Sequence, residues 1–293
     1  MSFLQYLING ISIGAVYAII ALGYTMVYGI AKMLNFAHGD VIMVGAFVSY
    51  TVTSSYGVPV LASILIAMVV CTLLGIFIEG LAYKPLRGAS SLAVLITAIG
   101  VSYFLQNSAQ QIWGPAEIAF KRAVDMDPLV LFGGQLKISA EVVVTLVVAV
   151  IIMVGLTAFV NKTKMGKAMR AVSEDREAAQ LMGINVNRTI STTFAIGSAL
   201  AAVAGVLLCS KVQAVWPTVG SMPGIRAFTA AVFGGIGSIP GAMLGGMLLG
   251  LIETFGGAYI STQFSDAIVF LVLIVILLVK PAGLLGKQVQ EKV

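Results

Sequence analysis

Charged residues are scarce in this sequence. Its 293 residues include 17 lysines and arginines and 12 aspartates and glutamates, or 10% of the chain, whereas soluble domains carry roughly 25%. The shortage excludes a sizeable soluble domain. With 59% hydrophobic residues and a mean hydropathy of +1.03, the composition predicts a single membrane domain over residues 1–293. The net charge of +5 lies in loops beside apolar runs, so it indicates orientation in a membrane and not nucleic-acid binding.

Residues that carry chemistry are equally rare. There is one histidine, and both cysteines, Cys71 and Cys209, fall inside apolar runs, where a buried reduced thiol is expected. No nucleophile–base pair, metal-ligand cluster or phosphate-binding loop occurs in the sequence. We therefore expect no catalytic residue, no metal, no bound cofactor and no ATP hydrolysis by this chain. The first 31 residues carry no charge, so they lack the basic region of a cleavable signal peptide.

Long apolar runs predict the fold class, an all-α polytopic membrane helix bundle. A span requires about 20 apolar residues. About eight spans are predicted, over residues 4–30, 41–55, 58–82, 92–113, 138–160, 189–212, 241–259 and 263–279. If a further broken segment before residue 241 also crosses, the N-terminus lies outside. Gly10, Gly14 and Ala18 repeat every four residues, a pattern that lets another helix approach the first span closely.

Polar residues stand between the first two apolar runs, at Asn35, His38 and Asp40. Two interpretations are open. These residues cap a tight turn between two helices, or they belong to non-helical backbone that lines a cavity at membrane depth. Two further acids lie within spans: Glu79 can pair with Lys84 or Arg87, and Glu253 needs a partner or water.

Residues 92–113 carry a polar stripe on an otherwise apolar helix. Its members are Thr97, Ser102, Gln106, Asn107, Gln110 and Gln111. Such a stripe either bonds neighbouring helices or faces a water-filled cavity. Four amides within six residues exceed what adhesion between helices requires, which favours the cavity.

Glycine and proline predict a break near residues 234–241. Gly234, Gly235, Gly237 and Pro240 lie close together, and this combination interrupts helices. We predict a half-helix over 225–236, a break, and then a span from 241. The glycine spacing resembles a nucleotide-binding loop, but the apolar flanks contain no strand–helix unit, so that interpretation is rejected.

The longest polar interval spans residues 161–188, and its clustered lysines and arginines mark the cytoplasmic side. Ser173 suits an N-cap, Glu174 suits a first turn, and Gly183 suits a helix end. We therefore predict a short helix over 174–182 that offers a surface to a partner. The alternative is a basic loop that only sets orientation.

Glu177, Ala178 and Ala179, followed by Gly183, resemble the EAA-x-x-x-G loop of ABC importer permeases. In those permeases the loop forms a coupling helix that docks on the ATP-hydrolysing subunit. The commonest importers continue with Ile-x-Leu-Pro, whereas this chain has Thr193-Phe194-Ala195 in that region. The departure argues against the commonest importer class.

Two more stretches, Ala21 to Gly39 and Gly234 to Glu253, make the chain similar to the LivH-type permeases of branched-chain amino acid ABC importers. The resemblance implies the fold of a type II ABC importer permease, multi-pass in the bacterial inner (plasma) membrane. It implies four kinds of partner beside membrane lipids: a LivM-like second permease, two ABC ATPase subunits that use ATP, and a periplasmic or extracellular amino-acid-binding protein. The implied substrates are branched-chain or other hydrophobic amino acids.

Two sets of residues follow as site predictions. The coupling loop comprises Ser173, Glu174, Glu177, Ala178, Ala179 and Gly183. The translocation path comprises Asn35, His38, Asn107, Gln110, Gly235 and Gly237. The alternative function is an ion- or proton-coupled transporter or channel for small polar solutes that works without ATPase partners. It would use His38, Asp40, Glu79 and Glu253 as proton-linked groups.

Overall fold

The chain folds as a bundle of long helices. A computed structural model describes residues 3–124, 128–131 and 136–286. Over these residues the helices are α1 (Phe3–Ala31), α2 (His38–Tyr56), α3 (Val60–Ile78), α4 (Ser91–Trp113), α5 (Ala140–Lys162), α6 (Lys164–Glu174), α7 (Arg176–Leu181), α8 (Val186–Val212), α9 (Ser221–Gly234), α10 (Ile239–Tyr259) and α11 (Ser265–Val279). Helix α3 continues through a π-helical turn, Glu79–Tyr83, and a 3₁₀ turn, Lys84–Leu86.

The predicted all-α polytopic bundle is confirmed. Within the described ranges, six helices are long and apolar enough to cross a membrane: α1, α3 with its extension, α4, α5, α8 and α10. Helices α2, with 19 residues, and α11, with 15, correspond to the other two predicted spans. Helix α9, with 14 residues, is the half-helix before the break.

Contacts made by the two ends of α1 define the two ends of the bundle. Gln5 Oε1 accepts a hydrogen bond from Lys137 N at 3.0 Å, so α1 begins at the end that carries the connection between α4 and α5. Helix α1 ends at the opposite face, where Arg176 of α7 donates to Ala31 O. The face of α7 carries the basic interval, and we call it the cytoplasmic end. Helix α1 therefore begins at the opposite end of the bundle, which we call the outer end.

The outer end also carries the short strands. Strand β1 (Ile118–Ala119) pairs antiparallel with β4 (Ala214–Val215), and β2 (Leu129–Leu131) pairs antiparallel with β3 (Leu136–Ile138). The first pair ties the connection after α4 to the end of α8.

Helix α1 lies at the centre of the core. Its most apolar window is 89% buried, compared with 22% in α4 and 17% in α5. Small residues explain its contact with α10, since a Cβ added at Gly14 would lie only 2.8 Å from Met247 Cα. The predicted close approach is therefore confirmed. Cys71 and Cys209 are buried free thiols, as expected.

The predicted break lies between α9 and α10, at residues 235–238, which we call the glycine break. Gly235 and Gly237 adopt φ of +104° and +92°, a region that favours glycine. Helix α10 resumes behind Ser238, whose Oγ accepts from Gly241 N at 3.2 Å. Helix α9 begins at Ser221, earlier than the predicted residue 225, because Pro223 lies in its first turn, where no backbone N–H is needed.

Candidate coupling loop and translocation path

The polar interval at residues 161–188 folds into two helices, α6 and α7, that meet at Asp175. The prediction of one helix over 174–182 with Ser173 as its N-cap is wrong. Ser173 lies inside α6, where its hydroxyl donates to Arg170 O at 2.7 Å. Glu174 is the last residue of α6 and not part of a first turn.

Asp175 is the residue that caps α7. Its backbone is extended, and Oδ1 accepts from the backbone N–H groups of Glu177 at 2.8 Å and Ala178 at 3.0 Å. The cap lies later than predicted because α6 is amphipathic and buries Met169 and Val172, which keeps the chain helical past Ser173. An aspartate is then the next side chain able to accept from the following helix.

Gly183 ends α7 as predicted. It has φ of +81°, its N–H donates to Gln180 O at 3.0 Å, and Ile184 N donates to Ala179 O at 3.0 Å. This pair of bonds is a Schellman motif, in which a left-handed residue satisfies the last carbonyls of a helix. The motif turns the chain sharply into α8.

The tip of α7 exposes large apolar side chains to the cytoplasmic end. Leu181 is 88% exposed and Met182 is 82% exposed, whereas Ala179 is buried at 4%. Glu177 and Ala178 are exposed as well. The Schellman turn directs residues 181–182 away from the bundle.

A cleft of about 500 Å³ opens beside α7 at the cytoplasmic end. It lies between the 3₁₀ turn after α3, helix α7 and the start of α8. Its lining residues are Arg87, Arg176, Glu177, Gln180, Gly183, Ile184, Asn185, Val186, Asn187 and Ile190. The cleft therefore carries two guanidinium groups and several amides.

The two arginines of the cleft are held by different partners. Arg87 pairs with the buried carboxylate of Glu79 and also donates to Asn187 Oδ1. Arg176 donates to Ala31 O at the end of α1. Burial, together with the nearby positive charge of Arg87, lowers the pKa of the Arg176 guanidinium from its usual range. Of the two partners predicted for Glu79, Lys84 and Arg87, the structure shows Arg87.

Of the polar residues between the first two spans, Asn35 lies in non-helical backbone inside the bundle, whereas His38 and Asp40 lie in the first turn of α2. Helix α1 ends at Ala31, Lys32 adopts φ of +51°, and α2 starts at His38. We call residues 32–37 the unwound segment. It folds back so far that a Cβ on Gly23, two helical turns before the end of α1, would lie 2.6 Å from His38 Nε2.

The interpretation that Asn35, His38 and Asp40 cap a helix is wrong. Ala37 is the N-cap of α2, and no side chain bonds the free N–H groups there. Asn35 instead accepts from the hydroxyl of Tyr83 at 2.9 Å, and both side chains are buried. These residues therefore make long-range contacts across the bundle.

His38 and Asp40 point in different directions from the start of α2. The His38 ring packs on Tyr24 at 4.6 Å between centroids, it is 1% exposed, and its Nε2 has no hydrogen-bond partner among the described residues. Asp40 accepts from Gln106 Nε2 at 2.8 Å, and the same nitrogen lies 3.3 Å from Ser221 Oγ. Asp40 therefore links α2 to α4 and to the start of α9.

The remaining amides of α4 face away from the bundle. Asn107, Gln110 and Gln111 are exposed, and Asn107 Nδ2 donates to Tyr103 O of its own helix at 2.7 Å. The predicted path residues Asn107 and Gln110 are thus within one turn of the Asp40–Gln106 contact, on the face of α4 that points away from the bundle. His38 and Asn35, by contrast, are buried in the core.

The glycine break packs against the end of α1 and the turn after α11. A Cβ on Gly235 would meet the C-terminal turn at Gly286, and a Cβ on Gly29, near the end of α1, would lie 3.0 Å from Gly237 Cα. Leu284 N and Leu285 N donate to Phe233 O and Gly234 O, both at 2.9 Å. The break therefore packs at the cytoplasmic end.

The sequence argument missed a partly buried ion cluster in the outer half of the bundle. Arg226 of α9 donates to Glu253 Oε1 at 2.6 Å, to Asp266 Oδ1 at 2.9 Å and to the Tyr17 hydroxyl at 2.8 Å. It thereby joins α9 to α1, α10 and α11. The sequence indicated only that Glu253 needs a partner, because pairing between residues far apart in the chain leaves no local signal.

Across the described part of the chain, no group of three or more histidine, cysteine, aspartate or glutamate residues could hold a metal ion. The charged groups inside the bundle instead pair with one another or with amides and hydroxyls. The chemistry they support is positioning of helices.

Comparison with known proteins gives a family match over most of the chain. The family described as branched-chain amino acid transport system / permease component matches residues 6–277. The high-affinity branched-chain amino acid transport system permease protein LivH of Salmonella typhimurium is 44% identical, covering 99% of this chain and 98% of that protein. The corresponding protein BraD of Pseudomonas aeruginosa is 45% identical over the same shares. A probable LivH of Methanocaldococcus jannaschii is 33% identical over 92% of this chain and 88% of that protein.

Proposed function

The chain belongs to the branched-chain amino acid permease family, and from that premise we propose that it is a transmembrane permease subunit of an ABC importer for branched-chain or other hydrophobic amino acids. It forms half of the translocation path and couples to ATPase subunits. The partners are a LivM-like second permease, two ABC ATPase subunits and a periplasmic or extracellular amino-acid-binding protein. The site of action is the bacterial inner membrane.

The observation that carries the proposal is the pair of exposed apolar side chains at the tip of α7. Leu181 and Met182 are 88% and 82% exposed at the cytoplasmic end. Burying such a side chain stabilises a contact by about 1.5–3 kcal/mol. A helix that is fixed at both ends, by Asp175 and by Gly183, presents them rigidly. This is the arrangement of a helix that inserts into a groove of a partner, here an ATPase subunit.

The exposed amides of α4 support a water-filled path beside a second permease. Asn107, Gln110 and Gln111 lie on the surface of a helix that is otherwise apolar. A polar group left unsatisfied in lipid costs several kcal/mol. These side chains therefore face a polar partner surface or water and not lipid. A substrate with charged ammonium and carboxylate groups needs such donors and acceptors along its route.

A pull-down tests the assembly. The tagged chain is purified in mild detergent from cells that make it naturally, and co-purifying proteins are identified by mass spectrometry. We expect an ATPase pair and a second permease. A homo-oligomer without an ATPase would overturn the proposal and favour the ion- or proton-coupled transporter or channel. Glu79 and Glu253 form salt bridges with Arg87 and Arg226, so these carboxylates are less able to take up and release protons.

The double variant Leu181→Ser with Met182→Ser tests the docking surface. We expect recovery of the ATPase to fall by about a hundredfold, because two buried apolar contacts of about 1.5 kcal/mol each are lost. Leu285→Ser is the matched control, since Leu285 is 48% exposed at the same end of the bundle but outside α7. Undiminished recovery with the double variant would contradict docking through α7.

A further inference from the structure

Two side chains, Arg176 and Tyr83, bind the unwound segment or the residue directly before it. Arg176, the first residue of α7, donates to Ala31 O, directly before the segment. The Tyr83 hydroxyl donates to Asn35 Oδ1 at 2.9 Å, within the segment. The start and the middle of a short non-helical stretch are therefore held, the start by Arg176 of α7 and the middle by Tyr83 of the π-helical turn.

Tyr83 cannot move independently of the cytoplasmic cleft. It is fully buried, its ring packs on Phe194 of α8 at 5.2 Å, and it is the last residue of the π-helical turn. The first residue of that turn is Glu79, which pairs with Arg87 of the cleft and accepts from Ser191 at 2.5 Å. A π-helical turn inside an α-helix is rare and frequently marks a functional position.

We propose that Tyr83 and Arg176 are positioning residues that transmit movement of the coupling loop to the unwound segment. The inference rests on the proposed function, since it requires an ATPase partner that moves α7. When α7 moves, Arg176 draws the Ala31 carbonyl with it. When the start of α8 and Arg87 move, the π-helical turn carries the Tyr83 hydroxyl, and Asn35 follows.

The unwound segment can pass this movement to the path. It leads directly into α2, whose first turn holds His38 against Tyr24 and Asp40 against Gln106 of α4. Gln106 neighbours the exposed amides Asn107 and Gln110. A shift of Asn35 therefore changes the position of the α2 start and of the polar groups beside the path.

The test compares transport with ATP hydrolysis in the complete complex reconstituted into liposomes. The readout is the number of amino acids taken up per ATP hydrolysed by assembled complex. Tyr83→Phe keeps the ring on Phe194 and removes only the hydroxyl. We expect the ratio to fall by about fivefold while ATP hydrolysis continues, the effect of one net hydrogen bond. Tyr50→Phe, on α2 outside this set of contacts, is the matched control and should keep the ratio.

Arg176 is tested in the same assay by two replacements. Arg176→Met removes the donor to Ala31 O, and we expect the ratio to fall by about fivefold. Arg176→Lys keeps a positively charged donor, and we expect it to restore part of the ratio. A residue that serves stability alone would lower the amount of complex and leave the ratio unchanged.

The outcomes separate this inference from the proposed function. If the unaltered complex takes up amino acids without hydrolysing ATP, the proposed function fails. If the unaltered complex couples the two, but assembled Tyr83→Phe or Arg176→Met keeps the full ratio, only the positioning role is overturned. Should Tyr83→Phe fail to assemble, Arg176→Met decides, and loss of assembly in both variants shows a purely structural role and also overturns the inference.

Discussion

The unwound segment and the glycine break both interrupt helices of the bundle, and the two interruptions are held by different means. Side chains hold the unwound segment between α1 and α2: Tyr83 binds Asn35, Arg176 binds Ala31 O, and His38 packs on Tyr24. Backbone holds the glycine break between α9 and α10, where Leu284 N and Leu285 N donate to carbonyls at the end of α9.

The difference indicates which interruption can move. A contact between side chains can be released and made again when one helix shifts. A junction in which backbone lies directly on backbone has no freedom to shift, since packed interiors tolerate little change in spacing. We therefore expect the glycine break to be a fixed point of the permease and the unwound segment to be its adjustable part.

The largest effect is expected from Gly235→Val at the fixed point. Gly235 has φ of +104°, and a Cβ there would meet the backbone of Gly286. Strain at such a position costs about 1–3 kcal/mol, and overpacking adds about 1–3 kcal/mol. We expect little monodisperse protein after detergent extraction and a much lower thermal unfolding temperature.

Gly155→Val is the control for that variant, because a Cβ at Gly155 meets open space within α5. It should be extracted as well as the unaltered protein. Normal yield and unfolding temperature with Gly235→Val would mean that the glycine break adapts, and the comparison between the two interruptions would fail.

An intermediate effect is expected from Gly23→Ala at the adjustable segment. The added Cβ would lie 2.6 Å from His38 Nε2, so the ring and the start of α2 must shift. We expect a loss of about 1–3 kcal/mol in stability, seen by thermal unfolding, and a larger relative loss of uptake. Gly257→Ala is the control, since its Cβ would make only ordinary contacts at 3.9 Å. Unchanged uptake would show that the position of His38 is not part of the transport cycle.

The smallest effect is expected from Ser238→Ala, which removes the side-chain cap of α10 and leaves the backbone junction intact. Loss of an N-cap costs about 1 kcal/mol. The Ser238 Oγ contact to Gly241 N is 3.2 Å long, and Ser90→Ala, which removes a contact of 3.4 Å at the start of α4, gives a matched comparison. If Ser238→Ala lowers the unfolding temperature as much as Gly235→Val, the break depends on a side chain after all.

Features with a local signal could be predicted from the sequence. The length of apolar runs predicts the spans, the Gly234–Pro240 cluster predicts the break, and Gly183 predicts the end of α7. Each of these features depends on a few neighbouring residues. The cap of α7 has no such local signal. The sequence predicts Ser173, but the cap is Asp175, because its position depends on how far the buried face of α6 extends.

Pairings between distant residues could not be predicted. Arg226 and Glu253, or Tyr83 and Asn35, come together only after several helices have packed. Periodicity predicts that a side chain needs a partner and does not name it. The exposure of Leu181 and Met182 was missed because it follows from the direction of one turn and not from a pattern.

The central place of α1 has a consequence for biosynthesis. Helix α1 leaves the ribosome well before α10, which begins at Ile239, yet the two helices pack against each other. About 200 residues separate the two helices, and at roughly 5–20 residues per second their synthesis takes about 10–40 s. During that time α1 lies in the bilayer without its contact to α10. Its lack of charge over residues 1–31 allows this, because an uncharged apolar helix is stable in a bilayer before its neighbours arrive.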